Sequence, residues 1–160
     1  MKDEKENRKE EKTFILHPSS FNLILKRLPH RSPFLMVDRV LDMVPGQRAR
    51  GIKLITVNEE LLQGVNPAYP CWPAGFFIEA LAQLAAVTAA DDKGPASGRG
   101  LLVQVKNLEV QRIPLPGDVL LLEVERVKGF GALHQFEGRA FIAETKVAQA
   151  ELVFTLTAGV

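Results

Sequence analysis

The sequence predicts an α+β domain in which an antiparallel sheet of about six strands wraps one long helix. Three observations carry that expectation. Residues 74–91 (AGFFIEALAQLAAVTAAD) are apolar around the whole helical circumference, the mark of a helix buried on most sides. Near the end of the chain Ala148, Ala150, Leu152, Phe154 and Leu156 alternate with Gln149, Glu151 and Thr155, as in a strand with one buried face and one wet face. Turn signals at Pro114–Asp118, Gly129-Phe130-Gly131 and Glu144-Thr145 divide the last part of the chain into strands.

Composition agrees with one such domain. The chain has 160 residues, 46% apolar and 24% charged, enough to bury a single core. Twenty basic residues against 19 acidic ones leave a charge of +1, which argues against nucleic acid or an anionic membrane as the main partner. The one cysteine, Cys71, excludes an internal disulfide and a Cys-rich zinc site.

Residues 1–13 are dominated by mixed charge (KDEKENRKEEK) and are expected to form a disordered leader before a domain at 14–160. They lack the basic start and apolar run of a secretory signal. The most apolar stretch, 75–90, is interrupted by Glu79 and Gln83, so no membrane span is predicted and the cytoplasm is the expected compartment.

A short helix is expected at Ser20–Arg27. Ser19 and Ser20 can cap its start, Phe21, Ile24, Leu25 and Leu28 share one face, and Pro29 stops it. Strands at 34–44 and 48–57 follow, parted by Pro45-Gly46, with one helical turn at 58–63. Three prolines in 64–73 (GVNPAYPCWP) shape a loop that feeds the long helix. Beyond a loop at 92–100, Leu101, Val103 and Val105 alternate before the apolar set shifts to Leu108 and Val110. That phase switch predicts a bulge near Asn107. Strands at 119–127, 132–143 and 146–157 complete the chain.

Glu79 carries the most chemistry. A carboxylate on an apolar helix loses water unless it is paired or protonated, and a carboxyl kept neutral can serve as a general acid. The alternative is a structural Glu satisfied by backbone donors or a subunit contact. Gln83, one turn later, lies on the same face and can hydrogen-bond to it. At the helix start Pro73 is followed by the small residues Ala74 and Gly75, so free N–H groups there could receive a carbonyl or oxyanion. Cys71 has no histidine nearby in sequence to activate it and reads as a buried residue. His17 falls before the first helix, His30 follows Leu28-Pro29, and His134 shares a strand face with Phe136 and Ile142. No metal-ligand spacing and no glycine-rich phosphate loop occurs, so neither metal nor cofactor is expected.

Three stretches carry a resemblance: 28–40 (LPHRSPFLMVDRV), 63–83 (QGVNPAYPCWPAGFFIEALAQ) and 113–120 (IPLPGDVL). In order and spacing they resemble the signatures of FabZ/FabA-type 3-hydroxyacyl-ACP dehydratases, from about residue 19 onward. The resemblance implies a hotdog fold, a homodimer with active sites at the interface that often assembles into hexamers, and an acyl thioester of ACP or CoA as substrate, with acyl carrier protein as partner. It also implies a reaction. A loop His of one protomer takes the α-proton, the helix Glu of the other protonates the departing hydroxyl, and a backbone N–H at the helix start holds the thioester carbonyl.

Carried over by position, Glu79 matches the acid and Ala74, beside Gly75, the N–H donor, where the family usually has Gly. The base departs from the pattern. The family loop Gly-His-Phe-Pro-Gly is here Gly64-Val65-Asn66-Pro67-Ala68, so Val65 holds the His position and Asn66 is no base at neutral pH. Val65, Asn66, Trp72 and Gln83 are the expected pocket residues. A positioned base contributes on the order of 10²–10⁴ in rate, or about 3–5.5 kcal/mol of barrier. Three functions therefore compete: a dehydratase, impaired or using a substitute base such as water or a His from elsewhere; a thioester hydrolase in which Glu79 activates water; and a non-catalytic acyl-ACP-binding partner subunit.

Overall fold

The computed structural model describes residues 14–15, 20–62, 72–89 and 99–157. Nine elements follow one another: β1 (Phe14–Ile15), α1 (Ser20–Arg27), β2 (Arg39–Val44), β3 (Arg48–Leu54), α2 (Gly75–Ala89), β4 (Arg99–Val110), β5 (Val119–Phe130), β6 (Leu133–Ile142) and β7 (Thr145–Thr157), with a 3-10 turn at Glu60–Leu62. The strands make one antiparallel sheet in the order β1-β2-β3-β5-β6-β7-β4. Six long strands and a two-residue β1 agree with the expected sheet, and the expected central helix is α2.

Helix α2 touches each of β2 to β7. Six strands spaced about 4.8 Å apart span about 24 Å when flat, whereas a helix with its side chains is only about 10–12 Å across. The sheet must therefore curl around α2. Two glycines permit the close approach: a Cβ on Gly138 would lie 2.9 Å from Leu81 Cδ1, and one on Gly51 would lie 2.9 Å from Arg39 O and 3.1 Å from Leu84 Cδ1. The core then closes over Phe77, Leu81 and Leu84 of α2, Leu120 and Leu122 of β5, Phe136 of β6 and Leu152 of β7.

Helix α1 begins and ends as expected. Ile24 and Leu28 are buried, while Phe21 is 46% exposed, so the apolar face is only partly used. In β7, Ala148, Ala150, Leu152 and Phe154 are buried as the alternation requires. Asn107 has φ +51° and the β4–β7 register shifts between Lys106 and Glu109, so the expected bulge is present.

Some boundaries differ. The first long strand starts at Arg39 rather than 34, because Phe34 O and Met36 N bond to the Gln83 side chain instead of a neighbouring strand. The second ends at Leu54, where Ile55 N leaves the ladder and donates to Asp118 O. Strand β5 runs on to Phe130, past its expected end at 127, so the turn to β6 narrows to Gly131 (φ +57°) and Ala132. The leader, His17, Ser19 and residues 63–71 with Val65, Asn66 and Cys71 lie outside the described residues. Among the described residues, no helix is long and apolar enough to cross a membrane.

Candidate active site

Helix α2 places Glu79 and Gln83 one turn apart on the side facing the 28–38 segment. Gln83 is 1% exposed and uses both ends of its amide. Its Oε1 accepts from Met36 N (2.8 Å), while its Nε2 donates to Phe34 O (2.8 Å) and to Glu79 Oε1 (2.7 Å). Met36 N can only donate and Phe34 O can only accept, so the amide has one satisfactory orientation. Glu79 Oε1 is thereby fixed as an acceptor, and any proton the carboxyl carries sits on Oε2.

The Glu79 side chain is 27% exposed in this single chain, half-buried rather than enclosed. Its second neighbour is His30, whose Nε2 lies 3.5 Å from Glu79 Oε1. His30 Nδ1 is buried without a hydrogen-bond partner among the described residues. The segment carrying His30 is anchored at both ends. Arg31 donates to Leu25 O, Leu28 O and His30 O at the end of α1, where free carbonyls favour a cation. Gln83 then holds Phe34 and Met36 on the far side. Sequence reasoning assigns His30 no specific role; the signals that point toward it are its place in the signature stretch 28–40 and the alternative of a base supplied by a His from elsewhere.

The start of α2 is open. Phe76 N donates to Pro73 O and Phe77 N to Ala74 O, and no acceptor is recorded for Ala74 N or Gly75 N among the described residues. Both residues are exposed, and a Cβ on Gly75 would meet nothing within 4 Å. The expected carbonyl-binding position is thus accessible one turn before Glu79. Trp72 differs from its expected place at a pocket surface: it is wholly buried, edge-on to Phe76 (5.6 Å) and Phe77 (5.4 Å), behind the helix start. Phe34 and Phe76, both partly exposed, continue an aromatic row from Trp72 to His30.

The family model of the FabA-like domain matches residues 28–151. The 3-hydroxyacyl-[acyl-carrier-protein] dehydratase FabZ of Desulforamulus reducens is 40% identical over 135 residues, covering 84% of this chain and 95% of the relative. The FabZ of Syntrophotalea carbinolica is 42% identical over 135 residues, covering 81% and 88%. Among solved structures, the dehydratase heterocomplex ApeI:P from Xenorhabdus doucetiae superposes with a TM-score of 0.70 at 19% identity, covering 84% of this chain and 90% of that one.

Proposed function

This chain belongs to the FabA-like family, with FabZ 3-hydroxyacyl-ACP dehydratases as relatives, and from that premise we propose that it binds acyl-ACP with the reacting thioester in front of Glu79. The thioester carbonyl sits at the N–H groups of Ala74 and Gly75, where the helix dipole favours developing negative charge. Glu79 faces the 3-hydroxyl through Oε2, and Phe34 and Phe76 offer apolar surface to the acyl chain. One observation carries this reading: Gln83 holds one carboxyl oxygen of Glu79, and among the described residues nothing engages the other, one turn from an open helix start.

Dehydration in this chain is weaker than in relatives with the loop His, because Val65 at that position cannot accept a proton. The test follows enoyl formation from a 3-hydroxyacyl thioester, with thiol release monitored separately. Val65→His raises enoyl formation if the rest of the site is intact. Unchanged activity with ligand binding retained counts against this site, and thiol release in place of enoyl product marks a hydrolase.

A second reading is a partner subunit without catalysis of its own. It is favoured by the likeness to a chain of a dehydratase heterocomplex. Either assembly has an available edge: among the described residues β4 ends the sheet on one side, and Leu101, Leu102, Val103 and Leu108 are exposed along it. A homodimer through this edge or a mixed pair with an active relative would be separated by measuring mass in solution, alone and after mixing. A stable monomer under both conditions would count against both.

A further inference from the structure

We propose that His30 is the second acid–base group of this site, standing in for the missing loop His and working with Glu79 of the same protomer; this rests on the reading that a 3-hydroxyacyl thioester binds in front of Glu79. Among the described residues, His30 is the titratable group recorded in contact with Glu79, Nε2 to Oε1 at 3.5 Å. At that distance the contact is at most a weak hydrogen bond, and among the described residues nothing else engages Nε2, which leaves it able to take a proton. Nδ1 is buried, which leaves Nε2 as the ring nitrogen able to meet a substrate. The flanking anchors, Arg31 on one side and Gln83 on the other, fix the segment rather than leave it to fold over the substrate.

The chemistry balances with these two groups. His30 Nε2 takes a proton from C2, and the C2–H electron pair becomes the C2=C3 bond. The C3–O bond breaks as Glu79 delivers its Oε2 proton to the departing hydroxyl, which leaves as water. The step ends with an imidazolium beside a carboxylate, so opposite charges develop 3.5 Å apart and attract each other. The released water carries the proton from His30 Nε2 to Glu79 Oε2, which restores both groups with no outside donor. In the family arrangement the base comes from the other protomer; here both groups are on one chain.

The full chain is assayed for enoyl formation from a 3-hydroxyacyl-CoA, with binding of a saturated acyl-CoA measured by calorimetry. Wild type is expected to turn over slowly, and His30→Gln to lower kcat on the order of 10²-fold or more with KM little changed. Imidazole added to His30→Ala should restore part of the rate, which a structural role would not produce. Loss of turnover in both variants without that rescue overturns the proposal, as does His30→Gln retaining wild-type turnover. Wild type that binds the saturated thioester but forms no enoyl product overturns it too, while leaving the binding reading standing. Wild type that binds neither thioester overturns that reading first, and this one with it.

Discussion

The two ends of α2 are treated in opposite ways. At the C-terminal end two carbonyls are occupied: Arg27, a buried residue at the end of α1, donates to Val87 O at 2.8 Å, and Gly46 N donates to Thr88 O at 2.7 Å. At the N-terminal end Ala74 and Gly75 are exposed, and among the described residues their N–H groups have no acceptor. Burying a helix end costs free energy unless its polar groups are paired, so an end that is merely structural is expected to be filled. The C-terminal end follows that rule. The N-terminal end is exposed, so its N–H groups face water or a ligand beside the half-buried Glu79.

Substitutions at the two ends should therefore separate activity from stability. The largest effect is expected from Glu79→Gln, which lowers whatever dehydration the chain shows on the order of 10²–10⁴-fold. The melting temperature should change little, as followed by enoyl absorbance and thermal unfolding of the same preparation. Gln83→Leu joins the two kinds of effect. It leaves Met36 N and Phe34 O without a partner and frees Glu79, so denaturant unfolding should show a loss of about 2–4 kcal/mol together with a fall in turnover. At the filled end, Arg27→Met should cost about 1.5–3 kcal/mol in the same unfolding measurement and leave thioester binding intact. An equal loss of binding would erase the distinction between the ends.

The smallest effect belongs to neither end. His134, on β6, has its pKa lowered below 6.5 by burial and then by the nearby Arg126 guanidinium. Between that lowered value and 6.5 the unfolded chain binds more protons than the folded one, so stability rises with pH through this window. Below it the protonated histidine carries a constant penalty. His134→Gln should flatten that part of a plot of melting temperature against pH. A slope that survives in His134→Gln would remove this histidine as its source.

How much of this is legible in the sequence depends on the range of the interaction. Local periodicity places α1, α2 and β7, because each buries a face whose repeat is written in neighbouring residues. The bulge at Asn107 is legible for the same reason: an extra residue must shift the apolar phase. Residues 34–38 read as strand in the sequence, but Phe34 O and Met36 N pair with a side chain on α2, far away in sequence. The Glu79–Gln83 pair follows from helical spacing, whereas the His30–Glu79 approach follows only from how α1 and its exit segment dock on α2. Trp72 next to a loop reads as a pocket wall, yet its ring is apolar enough to be drawn wholly into the core against Phe76 and Phe77.

Strand β4 is made before β5, β6 and β7 but lies outermost, hydrogen-bonded to β7. A growing chain can zip β5, β6 and β7 through their short turns, while β4 must wait for its neighbour to be synthesised. Loop closure of that kind is slow and leaves an unpaired apolar strand in the interval. Shortening the chain within β7 should therefore undo β4 as well, and recruit chaperones or aggregation during synthesis far more than truncation of any earlier hairpin tip.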